Sequence, residues 1–313
     1  MTVVAVGESL GLLRAEESGS LATVDRLRLT FGGAESNVAI GVSRLGGSAR
    51  WIGRVGRDVI GDRIVRELRA EGVEVHAGID ADRPTALMLK ESPVPAMSRV
   101  LYYRGDSAGS RLGPADIPAG LVQANDVLHV SGITASLSAS AEKAVHHAID
   151  IARANDALVS FDVNHRATLR RHRAAADIYR EVAQRADIIF AGLDEASLLT
   201  GAAATAEATA RELGRIGAGQ IVVKLGADGC LALEGGELHA RSAVPVDPVD
   251  TVGAGDAFVA GYLAELQLGG SMDARLATAV TAGAFACLST GDWEGLPRRG
   301  DLDLLGAVDP VMR

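Results

Sequence analysis

Val127-Leu-His-Val-Ser131, Leu158-Val-Ser-Phe-Asp-Val163 and Ile188-Ile-Phe190 are apolar runs of strand length, and the stretches between them read as helices near Ala139 to Ala154 and Ala174 to Arg185. Strands separated by helices need crossovers, and such crossovers are right-handed. The segment therefore predicts an α/β fold, a mostly parallel sheet with helices on both faces. Ligands of open α/β sheets bind beyond the carboxyl ends of the strands. Toward the N-terminus, Val3 to Val6 is a β-branched run ending at Gly7-Glu8, and Arg50 to Val55 reads as a further strand. Gly32 to Gly46 has small residues at its start, apolar ones at helical spacing and a glycine stop, the marks of a helix. Asp58 to Glu71 predicts an amphipathic helix with Val59, Ile64, Val65 and Leu68 on its apolar face. Toward the C-terminus, Ile221 to Lys224 and Cys230 to Leu233 flank the turn Gly226-Ala-Asp-Gly229, and His239 to Ala243 adds a strand. Two long apolar helices follow, the first over Ala257 to Leu268. Ala202 to Ala210, rich in alanine, predicts a plain surface helix.

Two strand pairs interrupt this alternation. Leu10 to Arg14 and Val24 to Phe31 alternate apolar with polar residues, as do Ala86 to Lys90 and Val100 to Arg104 around a loop with Pro93 and Pro95. They predict a small β-sheet lid, inserted at about 10–31 and 84–105 in a single domain spanning 1–313.

Composition narrows the function. With 48% hydrophobic and 23% charged residues, the chain of 313 residues expects a folded, soluble state. A net charge of -9 argues against a nucleic-acid partner, which needs clustered basic surface. Cys230 and Cys287 lie far apart without metal or disulfide spacing, which fits a reducing cytoplasm. No basic leader precedes Val3 to Val6, and the uncharged run Leu276 to Gly291 is short for a bilayer, so no membrane segment is expected. The 7 histidines show no metal spacing; His165 reads as a packing residue and His146-His147 as helix surface.

The chemistry centres on Pro248-Val-Asp-Thr-Val-Gly-Ala-Gly-Asp-Ala-Phe258. Gly253, Ala254 and Gly255 let a backbone approach an anion closely at the start of a helix, whose free N–H groups and dipole suit phosphoryl oxygens. Asp256 stands beside them as a base, ionised by the helix dipole. Spacing alone equally allows an ordinary glycine turn with Asp256 as its cap. Strand alternation puts Tyr102 and Arg104 on one face, with Leu101 and Tyr103 on the other. Arg166 follows the strand Leu158 to Val163 at its carboxyl end. Two converging arginines suit a carboxylate, so the acceptor reads as a sugar acid, unless both are solvated surface arginines.

Asp250-Thr-Val-Gly-Ala-Gly-Asp256 resembles the DTxGAGD signature of the ribokinase-like (PfkB) carbohydrate kinases, and Gly32-Gly-Ala-Glu-Ser-Asn37 with Arg44-Leu-Gly46 resembles their N-terminal signature. The resemblance covers essentially the whole chain. It implies ATP-dependent phosphorylation of a sugar, with Asp256 as base and Gly253 to Asp256 as anion hole. Tyr102-Tyr-Arg-Gly-Asp-Ser-Ala-Gly-Ser110, Ser131-Gly-Ile-Thr134, Asp162-Val-Asn164 with Arg166, and Gly291-Asp-Trp-Glu-Gly295 are similar to one branch, the 2-keto-3-deoxygluconate kinases. That likeness implies an acceptor pocket of Gly32, Gly33, Ala34, Asn37, Tyr102, Arg104, Ile133 and Arg166, closed from the other side by Asp292. For the nucleotide it implies Asn164, Lys224, the turn Gly226, Ala227 and Gly229, and the Gly253–Gly255 loop. It also implies ATP and Mg2+, with Glu195 reaching the metal indirectly and a monovalent cation near the anion loop left open. Kinases of fructose or ribose, and a non-catalytic nucleotide- or sugar-binding regulator, are the alternatives. Met88 replaces an aromatic residue on the lid, and Gly192-Leu-Asp-Glu195 lacks the asparagine of the N-x-x-E motif. Edge strands of the lid predict a homo-oligomer formed through it.

Overall fold

The computed structural model describes residues 1–94, 97–169, 172–201 and 205–306. Its strands are β1 (Val3–Val6), β2 (Leu10–Ala15), β3 (Leu27–Gly32), β4 (Ala49–Gly56), β5 (Glu74–Asp80), β6 (Leu87–Val94) and β7 (Met97–Tyr103). They continue with β8 (Val127–Ser131), β9 (Leu158–Asp162), β10 (Ile188–Gly192), β11 (Gln220–Lys224), β12 (Cys230–Glu234) and β13 (Glu237–Arg241). The helices are α1 (Ala34–Arg44), α2 (Val59–Ala70), α3 (Gly132–Leu137), α4 (Ala139–Ala154), α5 (Ala175–Ala183), α6 (Leu193–Thr200), α7 (Ala206–Gly214), α8 (Ala254–Gln267) and α9 (Met272–Ala286).

The large sheet runs β13-β12-β11-β10-β9-β8-β1-β4-β5, parallel except for β12 and β13, which are antiparallel. A separate sheet, β3-β2-β6-β7, is the small one expected from the interrupting strands. Alternation along the buried strands sorts the core onto two faces. Val3, Ala5, Phe190 and Val222 pack with residues of α1, α2, α8 and α9, whereas Val4, Val6, Ile189 and Val223 pack with α4, α5, α6 and α7. β1 pairs with β4 on one side and β8 on the other, so the strand order changes direction there. The crevice this creates lies at the carboxyl ends of the strands and locates the site.

Several local expectations shift. Val59 is 79% exposed, because it sits about 140° around the helix from Ile64, while Ile64 and Leu68 are buried. β3 begins at Leu27 rather than Val24, and β13 ends at Arg241 rather than Ala243. β6 continues through Pro93 to Val94; Pro95 lies outside the described residues, as do 202–204 of the alanine-rich stretch, whose helix α7 starts at Ala206. β5, α3 and α6 are additional. β5 is an edge strand containing Glu74, Ala77, Gly78 and Asp80, residues with little strand preference, and its pairing with β4 fixes it. No helix among the described residues is long and apolar enough to cross a membrane.

Candidate active site

Five parallel strands end in one crevice and each delivers a side chain there. Glu8 follows β1, Ile133 follows β8, Asn164 and Arg166 follow β9, Glu195 follows β10, and Lys224 ends β11. Another wall is α8, which enters by its N-terminus. Its N-cap Gly253 has φ 80°, a left-handed conformation, and a Cβ there would lie 2.2 Å from the carbonyl oxygen of Asp292. Only glycine meets both conditions. No side chain caps this helix, which leaves its start suited to an anion.

Asp256 lies in the first turn of α8 and is 7% exposed. Asn37 Nδ2, from the first turn of α1, donates to its Oδ2 at 2.8 Å, and Asn164 Nδ2 donates to Oδ1 at 3.3 Å. Burial raises the carboxyl's pKa above the ordinary aspartate value, against the pull of the Asn37 hydrogen bond and of the Arg166 and Lys224 charges. The sequence reads Asp256 as a carboxylate that the helix end favours; burial adds an opposing push, which makes the group a stronger base than the helix end alone would.

Across the crevice stands the small sheet. Met88, Lys90, Val100, Tyr102 and Arg104 line the same cavity as Asp256, a space of about 520 Å³. Tyr102 and Arg104 share the inner face, with the guanidinium 5.3 Å from the Tyr102 ring centre, while Leu101 and Tyr103 are exposed outside. Arg104 forms an ion pair with Glu8, which is 3% exposed and accepts a hydrogen bond from Ser107 Oγ at 2.9 Å.

The cavity also brings together Gly33, Ala34, Gly255 and Asp292. Asp292 is held where Trp293 packs on Phe31, ring centres 5.1 Å apart, beneath the Arg44 guanidinium. Burial lifts the Asp292 carboxyl to about 7, although Lys90 pulls it down. Gly32 stands behind this wall: a Cβ on it would lie 2.1 Å from Asp292 Oδ2. Ala254 is the first residue of α8. Gly226, Ala227 and Gly229 do not line the cavity; they form the turn after Lys224, with Gly226 and Ala227 exposed and Gly229 buried against Arg241. His165 packs edge-on against Tyr179, ring centres 5.8 Å apart.

Glu8 and Lys90 are cavity residues that the motifs did not reveal, and the Asp250–Asp256 signature gives no role there to Asp250, its first residue. Glu8 could have been found as the residue just past a strand's carboxyl end, and Lys90 by its two-residue spacing from Met88. Lys90 is buried and ion-paired with Asp250. Lys224 Nζ lies 2.7 Å from Asp162 Oδ1 and 3.8 Å from Glu195 Oε2. Burial opposes the lysine's charge, but Asp162 and Glu195 outweigh it and raise its pKa, so it stays an ammonium. The Glu195 oxygens accept the N–H groups of His165 at 2.9 Å and Gly192 at 2.7 Å. A carboxylate so occupied fits a metal reached through water rather than direct ligation.

Residues 2–299 match the sequence profile of the pfkB family carbohydrate kinases. The chain belongs to that family. It is thus a sugar kinase, an enzyme that moves a phosphoryl group from ATP with a divalent metal ion. The kinase is 38% identical to a 2-dehydro-3-deoxygluconokinase of Thermoproteus tenax, over 95% of this chain and 91% of the relative. It is 36% identical to a 2-dehydro-3-deoxygluconokinase of Bacillus subtilis (strain 168), over 96% of this chain and 94% of that one. Among solved structures it is similar to a PfkB protein from Polaromonas sp. JS666, with a TM-score of 0.86 and 33% identity, covering 96% and 98% of the two chains.

Proposed function

We propose that this kinase phosphorylates the primary hydroxyl of 2-keto-3-deoxygluconate (2-dehydro-3-deoxygluconate) with ATP and Mg2+. The observation that carries the reading is the convergence of Tyr102, Arg104 and Arg166 on the cavity that holds Asp256. A planar guanidinium fork suits the acid's carboxylate, and the two relatives named for this substrate support it. The acceptor lies between the Gly32–Asn37 wall and Tyr102, Arg104 and Ile133, with Asp292 closing it. Asp256 takes the proton of the acceptor hydroxyl. The N–H groups of Gly253 to Asp256 hold the oxygens of the phosphoryl group in transit, where charge builds up. Asn164, Lys224 and the turn Gly226, Ala227 and Gly229 take the nucleotide, and Glu195 serves the magnesium through water. A monovalent cation beside the anion loop is left to direct test.

One observation favours a neutral sugar such as fructose or ribose: Glu8 already compensates the charge of Arg104. A coupled ADP-release assay over the keto acid, fructose and ribose separates the two, together with Arg166→Ala. The acid reading expects the keto acid to have the highest kcat/KM and Arg166→Ala to raise its KM by about 10- to 100-fold. An unchanged KM in that variant, or better turnover of fructose, would overturn it. A fully inactive panel would favour the regulator.

We further propose one domain over 1–313, with the small sheet as its lid, a cytoplasmic location and a homo-oligomer formed through that sheet. The outer residues Met97, Leu101 and Tyr103 of β7 are exposed there.

A further inference from the structure

We propose that Lys90 is a positioning residue for phosphoryl transfer: from the small sheet its ammonium holds Asp250, and through Asp250 the turn that ends in the anion hole. The proposal rests on the chain being a sugar kinase, and it is independent of which sugar is the acceptor.

Lys90 sits on β6 and is 2% exposed, yet its side chain reaches the cavity wall rather than solvent. Its Nζ meets Asp250 Oδ2 in an ion pair that joins the small sheet to the loop before α8. The second oxygen, Asp250 Oδ1, accepts the Val252 N–H at 3.2 Å. Val252 precedes Gly253, whose left-handed backbone starts α8. The opposite side of the same loop is fixed by backbone: the Val249 and Asp250 N–H groups both donate to the Cys287 carbonyl, at 2.8 and 3.2 Å, and the Ala254 N–H donates to Thr251 at 3.3 Å. The Asp250 side chain adds a restraint of its own through Val252, and Lys90 is the cation paired with it.

Stability does not explain such a pair. Buried ion pairs lose about as much by desolvation as they gain by attraction, and apolar replacements of similar size are often as stable. The neighbours Leu10, Leu12, Ala86 and Met88 already form an apolar cluster that would accept such a residue. Charge gives a second role. Asp250, Asp256, Asp292 and Glu294 all act on this corner, and Asp292 Oδ1 is buried without a hydrogen-bond partner. A phosphoryl donor is a polyanion, and the Lys90 ammonium offsets these carboxylates on the side facing the small sheet, as Lys224 does from β11. Because the cation comes from the small sheet, the anion hole is fully ordered only when that sheet is seated on the loop.

The test compares Lys90→Met, Lys90→Arg, Asp250→Asn and the Lys90→Met/Asp250→Asn double variant in the ADP-release assay, using the best acceptor of the wild type. Absence of wild-type turnover with a given sugar indicts the acceptor, not the lysine. Lys90→Met should lower kcat by about 10- to 100-fold with the acceptor KM within about 3-fold, since a small misplacement of catalytic groups costs that much. Lys90→Arg should recover most of the loss. The double variant should be little worse than Lys90→Met alone, because the two residues act as one unit. A near-normal kcat in Lys90→Met, or losses that multiply in the double variant, would overturn the proposal. If Lys90→Met does not fold, Asp250→Asn with normal kcat overturns it equally.

Discussion

Asp256 shows how one carboxylate is tuned by competing effects. Burial works against its charge, Asn37 and Asn164 donate to it, and Arg166 and Lys224 pull the other way; burial wins and its pKa rises. A carboxylate that is harder to ionise is easier to protonate, which is what proton removal from a hydroxyl requires. Asp256→Asn keeps the shape and removes the base, so turnover should fall by about 100- to 10,000-fold while nucleotide affinity changes little. ADP release and calorimetric nucleotide binding would check both; near-normal turnover would remove Asp256 from the reaction. The sign of the shift also fixes the acid limb of the rate profile. Activity should fall as pH drops through a value above the ordinary aspartate range, because the protonated form accepts no proton.

At the scale of elements, the asparagine reaches its carboxylate because α1 and α8 pack with almost nothing between them. Gly41 is the reason: a Cβ there would lie 2.5 Å from Ala260 Cβ. Gly41→Val should push the helices apart, lowering stability by about 1–3 kcal/mol. It should also lower turnover about 10-fold or more, by lengthening the Asn37–Asp256 contact. Denaturant unfolding with the same ADP-release assay would test this, and a destabilised variant with full turnover would show that α1 does not position Asn37. The helix over Gly32 to Gly46 was legible in the sequence, but its partner was not. A glycine at helical spacing says that something comes close without saying what.

At the scale of the whole molecule, Glu35 ties α1 to the β8–α3 junction. It is 1% exposed, and its Oε1 accepts from Ser131 Oγ and Thr134 Oγ1, each at 2.6 Å. Burial lifts its carboxyl to about 7, against those hydrogen bonds. The folded protein thus holds a proton that the unfolded chain releases near 4.5, so this contribution is full below about 4.5 and is lost as pH rises through about 7. Wild-type stability should therefore decline over that window, with Glu35 contributing on the order of 3 kcal/mol. Glu35→Gln keeps an acceptor for Ser131 and Thr134 and removes the titration, so its unfolding free energy should vary less with pH. Denaturant melts at intervals between pH 4.5 and 8 would decide this; parallel curves for the two proteins would count against it.

The alternation of strand and helix from Val127 to Phe190, the two interrupting strand pairs and the glycine motif before Asp256 were enough to read the parallel sheet, the small second sheet and the helix start that carries Asp256. Those features rest on local rules: side-chain period, β-branching, glycine backbone freedom and the availability of N–H groups at a helix start. Edge strand β5 escaped because its residues have little strand preference and only pairing with β4 holds them. Val59 was misassigned because an apolar residue carries no label for which side of its helix meets the sheet. The meeting of Glu8 with Arg104, of Lys90 with Asp250 and of Asn37 with Asp256 was decided by the tertiary structure alone. Each joins residues far apart in the chain, through the register of one sheet and the seating of another, and charge balance inside a cavity depends on distances that no local pattern encodes.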